Sequence, residues 1–163
     1  GAAGTTMAWL GLGAVLTADL AVVLSEGTPR IKTLSELRAL TICAVKGGIG
    51  PVAVRSQVRP AVPLVGVKGD DALLDALEEG RCDAAVREAP LLAAALVARG
   101  ADAFGPVVGR IHTGAVMVAT LERRSPLTPQ VDAALARLRR DGTIGRLARR
   151  WLAFGPASLP RLR

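Results

Sequence analysis

The chain has 163 residues, half of them apolar, and 21 basic against 14 acidic residues give it a formal net charge of +7. This length allows one domain, or one and a fraction, with a substantial hydrophobic core. With two cysteines and one histidine in the whole sequence, we expect neither a metal site nor a disulfide-rich scaffold.

The first apolar stretch, residues 7–24, is similar in composition to a signal-peptide core or a short membrane span. It lacks a preceding basic segment, contains Asp19 and is interrupted by Gly11 and Gly13. We therefore expect a loop followed by a buried strand at 20–24, with no signal peptide in this chain.

Strand and helix patterns then alternate. Short apolar runs predict strands at 41–45, 61–67 and 83–87 after the one at 20–24. Four helices are predicted between and after these strands. The first begins at the capping box of Thr33, and the others cover 51–58, 71–79 and 90–99. This alternation is typical of an α/β fold in which a parallel sheet is covered on both faces. We expect the strand at 41–45 to lie between those at 61–67 and 83–87.

The last third predicts an extended segment or two over 107–120 and two helices, one beginning at Thr128 and one at Thr143. We expect residues 155–163 to form a loose tail. The two helices carry a C-terminal apolar stripe, which needs cover within the chain or through self-association; its members are Val131, Leu135, Leu138, Leu147 and Trp151.

Positive charge is concentrated in the same third. Residues 110–163 hold eleven arginines and three acidic residues, whereas residues 1–109 hold ten basic and eleven acidic ones. The arginines alternate with Leu and Ala at helical spacing, and no aromatic residues that could stack on bases lie among them. We expect a solvated or docked helix face and no nucleic-acid partner.

Two candidate ligand-binding features follow predicted strands. Gly47, Gly48, Ile49 and Gly50 form a glycine-rich turn into a helix, and Glu88 follows the strand at 83–87. Carboxyl ends of parallel strands meet at one edge of a sheet, where ligands bind. A carboxylate there suits an amine, although an ordinary strand-to-helix turn and a solvated loop glutamate would have the same sequences.

Four other polar or reactive residues have simpler explanations. Cys43 and Cys82 are either small buried residues or, in an oxidising compartment, a disulfide. Lys46 adjoins the glycines but suits a solvated strand end, and His112 suits an ordinary strand position.

The order of these motifs resembles the family 3 solute-binding proteins of bacterial ABC transporters. The resemblance is carried by six segments in this order: residues 31–37 (IKTLSEL), the Gly47–Ile49 turn, and residues 80–84 (GRCDA), 125–127 (SPL), 141–143 (DGT) and 149–151 (RRW). It covers about residues 17–154, and the combined order of the motifs is more specific than any one of them.

The resemblance implies a periplasmic-binding-protein-like (type II) fold, with residues 17–110 as the second lobe, a three-layer α/β/α unit, of a two-lobed clamp. Residues 111–154, a strand and two helices, would belong to the first lobe. The N-terminal half of that lobe has no counterpart here, so we expect a fragment, a split protein or a degenerate relative.

By the same resemblance, the backbone of Gly47, Gly48, Ile49 and Gly50 would bind a ligand carboxylate, without the family's two hydroxyls. Glu88 would bind the ligand amine, and Asp83 would be structural. The implied function is capture of an amino acid, outside the cytoplasm, for an ABC transporter permease, without cofactor, metal or catalysis. Alternatives are a cyclohexadienyl-dehydratase-like lyase with Glu88 as general acid, or a sensory module.

Overall fold

The computed structural model describes residues 19–114, 128–143, 146, 150, 154 and 158–163. Five strands form one sheet in the order β3-β2-β4-β1-β5. Their bounds are Leu20–Leu24 (β1), Ile42–Val45 (β2), Leu64–Val67 (β3), Ala84–Glu88 (β4) and Val107–Ile111 (β5). The α/β class and the position of β2 between β3 and β4 confirm the predictions from the sequence.

The sheet is mixed, and this corrects the prediction of a parallel strand at 20–24. Strand β2 runs parallel to β3 and β4, but β1 runs antiparallel to both β4 and β5. A parallel crossover needs a dozen or more residues and usually a helix that spans the sheet. The only helix between β1 and β2 is Leu34–Leu37 (α1), which has four residues. The chain therefore turns back into β2 at the edge where β1 ends.

The remaining helices follow the predicted order. They are Ile49–Ala53 (α2), which continues as a π-helical turn over Val54–Val58, then Asp70–Glu78 (α3), Ala89–Arg99 (α4) and Thr128–Arg140 (α5). Thr33 caps α1 as predicted, because its hydroxyl accepts a 3.1 Å hydrogen bond from the Glu36 amide. Within the described residues, no helix is long and apolar enough to cross a membrane.

Hydrophobic clusters cover both faces of the sheet, which gives the expected three layers. On one face, Val22, Ile42 and Val86 pack under α1, α2 and the end of the chain. On the other face, Val23 and Ala85 pack against the buried leucines of α3 and α4. Every residue of β1 is fully buried, so β1 contributes side chains to both cores.

The end of the chain is docked where the sequence predicted a loose tail over 155–163. The Arg110 amide donates to the Pro160 carbonyl at 2.9 Å, and the Leu162 amide donates to the Arg110 carbonyl at 2.8 Å. Leu162 is buried in the same cluster as Val108. Residues 160–162 thus extend the sheet beyond β5, because Gly109 leaves room for them: a Cβ there would lie 2.6 Å from the Pro160 oxygen.

A disulfide joins Cys43 in β2 to Cys82 before β4, which decides between the two alternatives for these cysteines. Both residues are buried between the sheet and α3. The bond closes a segment that contains β3 and α3, and so fixes the start of β4 to its neighbouring strand.

Helix α5 begins at Thr128 as predicted. Two members of the C-terminal apolar stripe, Leu147 and Trp151, lie outside the described residues, as does the predicted extended segment over 115–120. The predictions of its cover and of self-association therefore stay predictions.

Candidate ligand-binding site

Four chain segments meet at one edge of the sheet. Strands β2 and β4 end there, and β1 begins there because Leu20 pairs with Glu88. Strand β5 also ends there, since Leu20 pairs with Ile111 on its other side. This edge, which we call the site edge, therefore gathers the glycine turn, the end of β4 and the residues that flank β1 and β5.

Glycine is favoured in the turn after β2 for two different reasons. Gly47 has a φ of 81°, in the left-handed region that side chains disfavour. Gly48 begins α2 with ordinary dihedral angles, but a Cβ there would lie 3.2 Å from Arg87 Nη1 and 3.4 Å from Glu88 Oε1. The turn therefore lies directly against these two charged side chains.

Glu88 lies at the same edge as the turn, as predicted, and its side chain points toward the turn. Its Oε1 accepts a 3.3 Å hydrogen bond from the Ile49 amide at the start of α2. Only 8% of the residue is exposed. An amide at a helix N-terminus stabilises a carboxylate, so α2 and Glu88 hold each other in place.

The other oxygen of Glu88 is also occupied. Arg87 Nη1 donates to Glu88 Oε2 at 2.8 Å, and Arg87 Nε donates to Asp70 Oδ1 at 2.7 Å. Asp70 is the first residue of α3, so Arg87 links that helix to the end of β4. Neither this ion pair nor Asp70 was identified from the sequence.

A cavity of about 350 Å³ lies beside the turn. It combines glycine backbone, apolar side chains of α2 and three polar side chains; its lining is Gly47, Gly48, Ile49, Val52, Ala53, Ser56, Gln57 and Thr113. Glu88 and Gly50 are not in that lining: Glu88 lies behind the turn, and Gly50 packs on Ala44 of β2. An amino acid fits a cavity of this size, and a ligand in it would touch the turn before it reached Glu88.

A second polar cluster lies on the other side of Glu88. Asp19, which precedes β1, accepts a 3.0 Å hydrogen bond from the Thr113 amide and is ion-paired with Arg110. His112 Nδ1 lies 3.3 Å from the same carboxylate. The cluster ties the segment before β1 to the segment after β5.

The charge of Asp19 is stabilised despite its burial. Burial works to raise the pKa of this carboxyl, but hydrogen bonds from Thr113, His112 and Arg110 outweigh it and hold the pKa below its ordinary value. Asp19 is therefore a structural anion. From the sequence it was interpreted only as an interruption of an apolar stretch.

The other residues singled out from the sequence lie away from the cavity or serve the fold. Asp83 is structural as expected: its Oδ2 accepts a 2.9 Å hydrogen bond from the Thr41 amide at the opposite edge. Lys46 is exposed, and its methylene groups lie over Gly66 of β3. The carbonyl of His112 accepts a 2.6 Å hydrogen bond from the Gln57 side chain, which links β5 to the end of the π-helical turn.

Sequence patterns gave no signal for Arg87, Gln57 or Thr113. Arg87 is 17 positions from Asp70, and Gln57 is 55 positions from His112. The alternation of side chains along a strand shows only that Arg87 and Glu88 face opposite sides, so their contact depends on the bend where β4 becomes α4. Among the described residues, no group of three or more acidic, histidine or cysteine side chains is placed to hold a metal ion.

No protein-family model matches this sequence, and neither does any curated protein. Solved structures do match. An ancestral arginine-binding protein bound to glutamine superposes with a TM-score of 0.64 at 23% identity, over 86% of this chain. The chain has the fold of an amino-acid substrate-binding protein.

Two further structures show the same likeness. A substrate-binding protein of an amino-acid ABC transporter from Streptococcus pneumoniae, bound to L-arginine, has a TM-score of 0.65 at 20% identity over 89% of this chain. A solute receptor for L-cysteine from Neisseria gonorrhoeae has a TM-score of 0.58 at 24% identity over 82% of it. The periplasmic-binding-protein-like fold predicted from the motifs is confirmed.

The chain spans 62% of the length of the ancestral protein, 59% of the S. pneumoniae protein and 53% of the N. gonorrhoeae receptor. Two of these neighbours were solved with a bound amino acid, and the third is a solute receptor for L-cysteine. Because this chain covers less than two thirds of each neighbour, its own ligand and partners are proposed below.

Proposed function

We propose that this chain captures an amino acid, or a similar compound with an amine and a carboxylate, as the substrate-binding component of an ABC transporter. The observation that carries the proposal is the juxtaposition of the Gly47–Gly50 turn and Glu88, joined by the 3.3 Å hydrogen bond from the Ile49 amide. The turn offers backbone donors for a carboxylate and Glu88 offers a counter-charge for an ammonium group.

The cavity beside the turn supports this assignment. Gly47, Gly48 and Ile49 form one wall, Val52 and Ala53 of α2 form an apolar wall, and Gln57 and Thr113 add polar groups. Val52 is 69% exposed, so an apolar surface is available to the aliphatic part of a side chain. A few polar groups in an otherwise apolar cavity are typical of a small-molecule site.

The disulfide supports a location outside the cytoplasm. Disulfides persist in oxidising compartments such as the bacterial periplasm, and Cys43–Cys82 joins two buried residues of the core. We therefore place the protein in the periplasm or on the outer side of the membrane, where it would deliver its ligand to a permease.

The direct test is an NMR titration of the ¹⁵N-labelled chain with L-arginine, L-glutamine and L-cysteine, each up to millimolar concentration. We expect saturable shifts of the Gly48, Ile49 and Thr113 amides. Amides at the opposite edge, such as Ser25 and Asp83, serve as internal controls and should not shift.

Two results would contradict the proposal. One is the absence of any saturable shift with all three amino acids. The other is a set of shifts confined to the opposite edge, which would show that the chain binds these compounds elsewhere.

A further inference from the structure

Glu88, the residue proposed to bind the ligand amine, already has a donor on each of its oxygens. Oε1 accepts from the Ile49 amide at 3.3 Å and Oε2 accepts from Arg87 Nη1 at 2.8 Å. With only 8% of the residue exposed, little carboxylate surface is left for another donor. The two oxygens can together accept about four hydrogen bonds, but Glu88 is so deeply buried that an incoming ammonium group would compete with one of the two donors already bound.

Arg87 is the partner that can be displaced. The Ile49 amide is fixed by the backbone of α2, whereas the guanidinium is at the end of a long side chain. Arg87 also retains its 2.7 Å hydrogen bond to Asp70 when it leaves Glu88. The structure thus contains both the competing cation and the anion that holds this cation after displacement.

We propose that Arg87 is an internal competitor of the ligand amine and a determinant of affinity and specificity at this site. The proposal rests on the proposed function, since it concerns the same Glu88. While Arg87 is paired with Glu88, the site is open to the carboxylate end of a ligand but closed to its amine. Binding of the amine then requires that Arg87 turn toward Asp70.

The test compares two ligands that differ only in the amine: L-glutamine and its des-amino analogue, glutaric acid monoamide. In Arg87→Met the competing cation is removed and its apolar stem is largely kept. We expect L-glutamine to bind this variant roughly tenfold more tightly, because one charge-assisted hydrogen bond no longer has to be broken. The analogue should gain nothing. Both affinities are measured by NMR titration of the Gly48 and Ile49 amides.

Matched variants separate this effect from a change in charge or folding. Arg99→Met removes the same charge at the opposite end of α4 from Glu88, from a residue paired with Asp75 and Glu78, and should leave both affinities unchanged. Arg87→Gln is the second variant if Arg87→Met does not fold, and we expect the same gain for L-glutamine. Thermal unfolding identifies the folded variants.

The outcomes separate failure of this inference from failure of the proposed function. If the wild type binds L-glutamine and neither Arg87 variant binds it more tightly, Arg87 is not a competitor although the site stands. An equal gain for both ligands would also contradict the inference. If L-glutamine binds neither the wild type nor any variant, the assignment of the site fails, and the role of Arg87 fails with it.

Discussion

The Ile49 amide and the Glu88 carboxylate are joined by a 3.3 Å hydrogen bond across 39 positions of sequence. The bond connects the start of α2, which follows β2, to the end of β4. These two points lie side by side because β2 and β4 are parallel neighbours. An endogenous carboxylate thus occupies part of the helix N-terminus that we propose for a ligand. The charge of Glu88 is in turn balanced by Arg87 from within the chain.

The docked end of the chain gives the first prediction. Gly109→Ala should lower the free energy of unfolding by about 1–3 kcal/mol, because its Cβ would lie 2.6 Å from the Pro160 oxygen and the backbone there cannot move without loss of pairing. Urea unfolding measures the change. Gly69→Ala is the matched control: a Cβ at Gly69 meets nothing within 4 Å, so only the cost of alanine at the N-cap of α3, about 0.5–1 kcal/mol, is expected. Equal effects of both variants would show that residues 160–162 are not docked on β5.

The disulfide gives the second prediction. Its removal in the double variant Cys43→Ala/Cys82→Ala should lower the free energy of unfolding by about 4 kcal/mol, since the bond closes a segment of 39 positions. A reductant should lower the melting temperature of the wild type but leave that of the double variant unchanged. If the reductant has no effect on the wild type, the two thiols are not bonded.

Asp19 gives the third prediction, on pH dependence. Its pKa is lower in the folded chain than its ordinary value. Its charge therefore stabilises the fold fully above a pH of about 4, and this contribution is lost as the pH falls through the folded pKa. We expect wild-type stability to fall more steeply than that of Asp19→Asn as the pH drops below about 4.

At neutral pH, Asp19→Asn should itself lower the free energy of unfolding by about 3 kcal/mol, because Arg110 loses the carboxylate with which it is ion-paired. Urea unfolding at several pH values gives both quantities. A parallel decline of the two proteins in acid would assign the pH dependence to other carboxylates.

The sequence patterns predicted the local elements well, since their signals are local. The helices predicted at 71–79 and 90–99 are found close to those bounds, and Gly80 and Gly100, which follow them, have φ angles of 74° and 90°. The edge position of Glu88 was also predictable, because it depends only on β2 and β4 being parallel.

What the sequence patterns could not predict depends on the space between distant segments. The direction of β1 is decided by the short turn through α1, and an apolar run has the same composition in either direction. The docking of Leu162 requires a groove over Gly109, which exists only after β5 has formed. The bridge from Asp70 through Arg87 to Glu88 likewise requires α3 and β4 to be packed together.

We propose that Glu88 and the glycine turn together bind a ligand with an amine and a carboxylate. The affinity of Glu88→Gln for L-glutamine tests this role, compared with that of Glu78→Gln, which removes the same charge at an exposed ion pair with Arg99. We predict that Glu88→Gln weakens binding roughly tenfold or more through loss of the charge-assisted hydrogen bond, and that Glu78→Gln binds as the wild type does. Wild-type affinity in Glu88→Gln would exclude Glu88 from the ligand-binding site.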